Sequence, residues 1–151
     1  MALYCLENAR APEQQARMRA LEQAGVCLFC PDGLAAYGSQ AGPVVETASW
    51  LAVDNDFPYA GARRHLLLIP RAHVVDLGEL DVAARADFWA ALDSVRAATG
   101  ADHYGVGIRS GDCAATGGTI AHLHVHFLVP DPDAADQPLR MRFSGRPGEI
   151  G

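Results

Sequence analysis

Between residues 121 and 127 apolar and polar positions alternate strictly, with Leu123, Val125 and Phe127 interleaved with His122, His124 and His126. A period of two marks a β-strand with one buried face, so the run predicts a strand over 121–129 whose Leu/Val/Phe side joins the core. At about 3.3 Å rise per residue, the histidines stand roughly 6.6 Å apart on the other side, where all three can line one cleft. Other segments carry a helical period. Residues 12–24 predict a helix, with Pro12 in its first turn and Gly25 just past its end. Residues 81–99 predict the longest helix, with an apolar stripe of Val82, Ala86, Trp89 and Leu92, flanked by Phe88 and Val95 and capped by Gly100. Those aromatics read as core. Short apolar runs predict strands at 44–47, 50–53, 65–70 and 104–108, and the glycine-rich or polar stretches at 33–42, 54–64 and 109–118 predict loops.

Strand pairs with one long and one N-terminal helix, lacking repeated β-α-β alternation, define an α+β class. The expected architecture is a single domain on an antiparallel sheet of about five strands. It divides into an N-terminal helical segment (1–26), a core (27–130) and a loosely packed C-terminal tail (131–151). A chain of 151 residues can bury roughly 68–70% of its unfolded surface, enough for a real core.

Composition narrows the function classes. Half the residues are hydrophobic and 20% are charged, as in ordinary globular proteins. A formal charge of −6 argues against nucleic acid or an anionic membrane as the main partner. All 12 basic residues are arginine, which excludes a lysine Schiff base or a P-loop lysine. The N-terminus lacks the basic start and apolar stretch of a signal peptide, and no run approaches 18 apolar residues, so the expected location is cytoplasmic. There the four cysteines, Cys5, Cys27, Cys30 and Cys113, are expected to stay reduced, and a close pair to hold metal rather than form a disulfide. Cys27 and Cys30 have the C-x-x-C spacing of half a structural zinc site, which needs two further ligands.

Three segments, Asn55-Asp-Phe-Pro58, His65-Leu-Leu-Leu-Ile-Pro70-Arg-Ala-His73 and Gly117-Gly-Thr-Ile-Ala-His122-Leu-His124-Val-His126, together resemble the histidine-triad (HIT) superfamily of nucleotide hydrolases and transferases. Cys27 and Cys30 extend the likeness to its zinc-carrying branch. The resemblance implies that His124 is a nucleophile on an α-phosphate, forming a nucleotidyl-histidine intermediate. An imidazole with ordinary pKa near 6.5 is largely neutral at pH 7 and can attack without a base. It also implies that His126 bonds phosphoryl oxygens or the leaving group, that Gly118 and Thr119 hold phosphate oxygens, and that Asn55 binds the ribose hydroxyls. His73 and His122 are then the remaining ligands of a structural Zn²⁺ with Cys27 and Cys30. Homodimerisation is implied in the same way, with a small-molecule nucleotide as the partner.

The chain departs from the family pattern twice. Gly118 stands where many relatives have glutamine, and Arg109, before a slightly longer loop, where relatives often have asparagine. An extra cation beside a phosphate pocket favours a more anionic substrate or faces solvent. His65 reads as a packing or supporting residue, and His103 as surface. The leading expectation is a hydrolase of phosphoramidate or dinucleoside polyphosphate type, since His126 is retained where transferases typically carry glutamine. The alternatives are a nucleotidyltransferase, a non-catalytic zinc-stabilised nucleotide-binding module, or a triad that ligates a catalytic metal.

Overall fold

The computed structural model describes residues 2–134 and 136–145. Five strands, β1 (Val45–Glu46), β2 (Trp50–Asp54), β3 (Ala62–Pro70), β4 (Gly105–Ile108) and β5 (Val125–Pro130), form one antiparallel sheet in the order β1-β2-β3-β5-β4. The helices are α1 (Pro12–Gln23), α2 (Pro31–Tyr37), α3 (Val82–Thr99) and the single-turn α4 (Cys113–Thr116). The expected α+β class and antiparallel sheet are both present. Among the described residues no helix is long and apolar enough to cross a membrane.

Register assigns each face of the sheet its own core. Leu66 pairs with Phe127 and Leu68 with Val125, so these side chains share a face, which packs with Trp50 and Ala52 against Ala84, Ala91, Leu92 and Val95 of α3. Trp50 Nε1 donates to the Ala84 carbonyl (2.8 Å), so its indole N–H is paired inside that core. On the opposite face Leu67 pairs with His126, and Leu67 and Ile69 pack with Met18 and Leu21 of α1 and with Leu28, Phe29 and Ile120. The triad side of the sheet is therefore covered rather than open. His122, His124 and His126 are only 1%, 8% and 3% exposed.

The elements differ from the expectation in several places, among them α4 inside the loop expected at 109–118 and the start of β3 at Ala62, inside the loop expected at 54–64. The strand expected at 121–129 begins its ladder only at Val125, so His122 and His124 lie in the bend that enters it; there Ala121 N–H donates to the Leu3 carbonyl and Leu123 N–H to that of Val74. The loop expected at 33–42 contains α2, started by Pro31 in its first turn. In α3, capped by Asp81 Oδ1 on Ala84 N–H and by Gly100 at φ 64°, the buried stripe is Ala84, Ala91, Leu92 and Val95 with Phe88 half-buried beside it, while Val82 and Trp89 are 83% and 66% exposed. The tail is not loose over 136–145. It runs back across the sheet end, where Gly145 N–H donates to the Ala115 carbonyl. Gly117, at φ 85°, leaves room for that crossing, because a Cβ there would collide with the Ser144 carbonyl. The rest of the expected tail, 146–151, lies outside the described residues.

Candidate active site and metal centre

The turn after α1 and the end of β3 bring the four expected metal ligands together. Cys27 Sγ, Cys30 Sγ, His73 Nδ1 and His122 Nδ1 lie within 4.8 Å of one another. The Cys27–His122, Cys30–His73 and Cys30–His122 separations are 3.5, 3.3 and 3.7 Å, and the two imidazole nitrogens are 3.1 Å apart. A tetrahedral zinc shell, with Zn–S about 2.3 Å and Zn–N about 2.0–2.1 Å, has S···N edges of about 3.6 Å and an N···N edge of about 3.4 Å. The cage fits zinc. His122 Nε2–H donates to the Pro70 carbonyl (2.9 Å), which leaves Nδ1 unprotonated for a metal. Burial and the neighbouring Cys27 push the Cys30 thiol up to about 11, so two thiolates this close call for a cation between them. A zinc ion here supplies no reacting group. It ties the Cys27–Cys30 turn to the end of β3 and to the first triad histidine.

The other two triad residues are held in defined tautomers by their partners. His124 Nδ1 lies 2.7 Å from the His122 carbonyl, which can only accept, so Nδ1 carries the proton and Nε2 keeps its lone pair. Burial brings the His124 imidazole down to about 4, and it is neutral at pH 7. Phe29, from the Cys27–Cys30 turn, packs edge-on against its ring at 5.0 Å. Further along the strand a relay begins at Tyr59, whose backbone N–H donates to His65 Nδ1 (3.0 Å). His65 must then carry its proton on Nε2, which donates to His126 Nδ1 (2.8 Å). His126 is left with its proton on Nε2. His65, read from sequence as packing or support, is thus the residue that sets the tautomer of His126.

Both members of this pair are buried and held neutral. Burial, with Arg10 nearby, brings His65 down to about 3 and also holds His126 well below its ordinary value. A folded-state pKa below the unfolded one means that acid favours the unfolded chain, which takes up the protons. Stability is therefore expected to decline as pH falls below about 6.5, by about 1.4 kcal/mol per pH unit for each such histidine until the folded pKa is reached. Urea midpoints between pH 7 and pH 5 measure this slope. His65→Asn should flatten it by one proton, and an unchanged slope in that variant would contradict the assignment.

A cavity of about 800 Å³ opens beside these residues, lined by His124, His126, Asn55, Arg109, Gly117 and Thr119 among others. Gly118, expected in the phosphate-binding turn, does not line it. It is buried behind Gly117, with its carbonyl accepting from Asn8 Nδ2 (2.9 Å). Asn55 Oδ1 accepts from Phe57 N–H (2.9 Å), which shapes the turn after β2, and its amide nitrogen lies 3.3–3.4 Å from the ring nitrogens of His65. Arg109 Nε donates to the Arg142 carbonyl (2.7 Å), and its NH1 donates to Tyr59 Oη (3.0 Å) and lies 3.3 Å from His126 Nε2. Arg10, which the sequence did not single out, stacks over Tyr59 at 4.4 Å and bonds the Phe57 and Pro58 carbonyls. Cys5 and Cys113 are not free thiols: a disulfide joins them, correcting the expectation that every cysteine is reduced. With Cys5 N–H on the Thr119 carbonyl and Asn8 Nδ2 on those of Cys113 and Gly118, it fastens the N-terminal segment to the glycine turn. The three triad histidines do not converge on one ion, since His122 faces the cysteines and His124 and His126 face the cavity.

This arrangement of a five-stranded antiparallel sheet, a buried H-x-H-x-H bend and a Cys2His2 cage coincides with a family match: residues 39–133 match the HIT domain. Two uncharacterised HIT-like proteins of Mycobacterium tuberculosis, from strains CDC 1551 and H37Rv, are each 32% identical over 108 residues, covering 69% of this chain and 71% of theirs. A Zn-bound histidine triad family protein from Mycobacterium smegmatis is similar in structure, with a TM-score of 0.57 and 26% identity over 80% of this chain and 84% of that one. A HIT family hydrolase from Clostridium thermocellum has a TM-score of 0.56 and 25% identity over 71% of this chain and 91% of its own. The chain belongs to the HIT family.

Proposed function

We infer that this protein hydrolyses a nucleoside 5′-phosphate derivative at its α-phosphorus through a nucleotidyl-His124 intermediate, with zinc in the Cys27/Cys30/His73/His122 cage as a structural ion. The observation that carries this reading is His124 itself: neutral, its Nδ1–H held by its own chain, and its Nε2 lone pair left for the cavity. Such an imidazole needs no base to attack phosphorus, and covalent catalysis then divides one hard displacement into two easier ones. His126 Nε2–H supplies a hydrogen bond to a phosphoryl or departing oxygen, and Thr119 and Arg109 supply further donors. Asn55, on the β2 side of the cavity, serves the nucleoside end. The hydrolase of Clostridium thermocellum and the Zn-bound protein of Mycobacterium smegmatis support the reaction class and the ion respectively.

Rapid quenching of a reaction with an adenosine 5′-phosphate derivative, followed by peptide mass spectrometry, tests the intermediate. An adenylyl adduct on the peptide containing His124 is the expected result. Turnover with an adduct on another residue would displace His124. Binding of AMP with no turnover of any such substrate would favour the non-catalytic nucleotide-binding module instead.

A further inference from the structure

The relay from Tyr59 through His65 ends on His126 Nε2–H, and that N–H faces Arg109 NH1 at 3.3 Å. A guanidinium has only donors, so two N–H groups meet here with no acceptor between them. A single anionic oxygen between the two would accept from both, and charge-assisted bonds of that kind are the strong ones. We propose that Arg109 is a specificity-determining residue that, together with His126, holds an anionic oxygen of the leaving group, so that the preferred substrate joins its nucleoside 5′-phosphate to a second phosphate rather than to an amine. This rests on the reading of His124 as the nucleophile.

Topology places Arg109 at the leaving-group end. In the β4–β5 pairing Gly107 lies opposite His126 and Ile108 opposite Val125, so Arg109 leaves the end of β4 next to the triad, and its NH1 lies 3.3 Å from His126 Nε2. Asn55 follows β2, which lies on the other side of β5, beyond β3. Asn55 and Arg109 therefore reach the cavity from opposite sides of the β3–β5 pair, and Arg109 ends beside His126 and Tyr59.

Charge along the cavity wall follows the same division. Asp54 and Asp56, on the β2 side, are paired with Arg64 (3.1 Å) and Arg17 (2.6 Å). Arg109 and Arg142 meet beside Gly117, and Arg10 and Arg140 line the cavity as well, while Asp54 and Asp56 are its only lining carboxylates among the described residues. In a chain of net charge −6 the Arg109 end is locally cationic, which concentrates anions.

Leaving-group chemistry agrees. An amine departs only when protonated, and a neutral imidazole N–H is a weak acid, whereas a phosphate departs as a stable anion. In the step itself, His124 Nε2 forms a bond to the α-phosphorus as the bond from that phosphorus to the bridging oxygen breaks. The electron pair leaves on that oxygen, now a terminal phosphate oxygen within reach of Arg109 and His126. Water then displaces His124, giving the nucleoside monophosphate and releasing its proton to solvent.

The test compares kcat/KM for diadenosine triphosphate and for adenosine 5′-phosphoramidate in wild type, Arg109→Gln and Arg109→Lys. Glutamine keeps a donor for the Arg142 carbonyl and removes the charge. The ratio of polyphosphate to phosphoramidate kcat/KM is expected to fall by roughly 10- to 100-fold in Arg109→Gln, with partial recovery in Arg109→Lys. A ratio unchanged in Arg109→Gln, with both substrates losing equally or neither losing, would overturn the proposal. If wild type turns over neither substrate, the hydrolase reading fails, and the inference is then decided by binding. Calorimetric Kd values for ADP and AMP should show the ADP preference shrink by a similar factor in Arg109→Gln, and an unchanged preference would overturn it.

Discussion

His124→Ala is expected to lower turnover of a nucleoside 5′-phosphate substrate by on the order of 10⁴-fold or more, the scale seen when the nucleophile of a covalent mechanism is removed. The same substitution should leave AMP binding and the fold nearly intact. The His124 ring lies on the cavity wall, and among the described residues its one hydrogen bond is to the carbonyl of His122, a contact worth about 1 kcal/mol. That backbone carbonyl remains when the ring is gone, and water entering the emptied cavity can serve it. Steady-state kinetics, AMP calorimetry and a melting curve on one preparation make the measurement. Full activity in the variant would remove His124 from the reaction, while loss of AMP binding with loss of fold would reassign it to structure.

The second large effect belongs to the metal cage. Protein purified without added metal is expected to carry about one zinc per chain. The Cys27→Ser/Cys30→Ser variant is expected to carry none and to melt about 10 °C lower or more, because metal affinity at a closed thiolate–imidazole site contributes directly to folding free energy. The loss should be felt through Phe29, which sits in the Cys27–Cys30 turn and packs on His124. Turnover measured well below the melting point should survive in part, since the His122 carbonyl still orients His124 and no step passes through the ion. Elemental analysis and calorimetry decide the first claim. Zinc held undiminished in the double variant would show that the ion sits elsewhere.

The part of this molecule that was legible in sequence is the part written in spacing. The C-x-x-C pair, the His65-to-His73 run and the alternating triad each carry their geometry in a fixed interval along the chain, and the structure brings Cys27, Cys30, His73 and His122 into one cage. What escaped was chemistry that depends on residues far apart. Gly118 looked like a phosphate contact, but a glycine shows nothing in sequence of which way its turn faces, and Gly117 faces the cavity instead. Arg10 and Tyr59 lie 49 positions apart and meet only because α1 and the β2–β3 turn cover the same face. In α3 the large apolar side chains of Val82 and Trp89 drew the predicted stripe, whereas the buried stripe leans on Ala84 and Ala91, whose small side chains carry little periodic signal. The disulfide was invisible for the reason that pairing always is: Cys5 and Cys113 are separated by 108 residues.

That separation bears on the order in which the molecule matures. The glycine turn at 117–119 is gripped from one side by Cys5 and Asn8, and from the other by Ser144 and Gly145, which pack on Gly117 and on the Ala114–Ala115 backbone. Its surroundings are therefore drawn from the first ten and last ten residues of the described chain, and the Asn8 side of the grip closes over separations of 105 to 110 residues. Closures within the sheet are shorter, from the turn that joins β2 and β3 to the pairing of Leu66 with Phe127 between β3 and β5. Contacts of such high sequence separation form late. The strands can therefore be in place before Asn8 docks on the Cys113 and Gly118 carbonyls, so the glycine turn beside the cavity is the part of this wall that settles last.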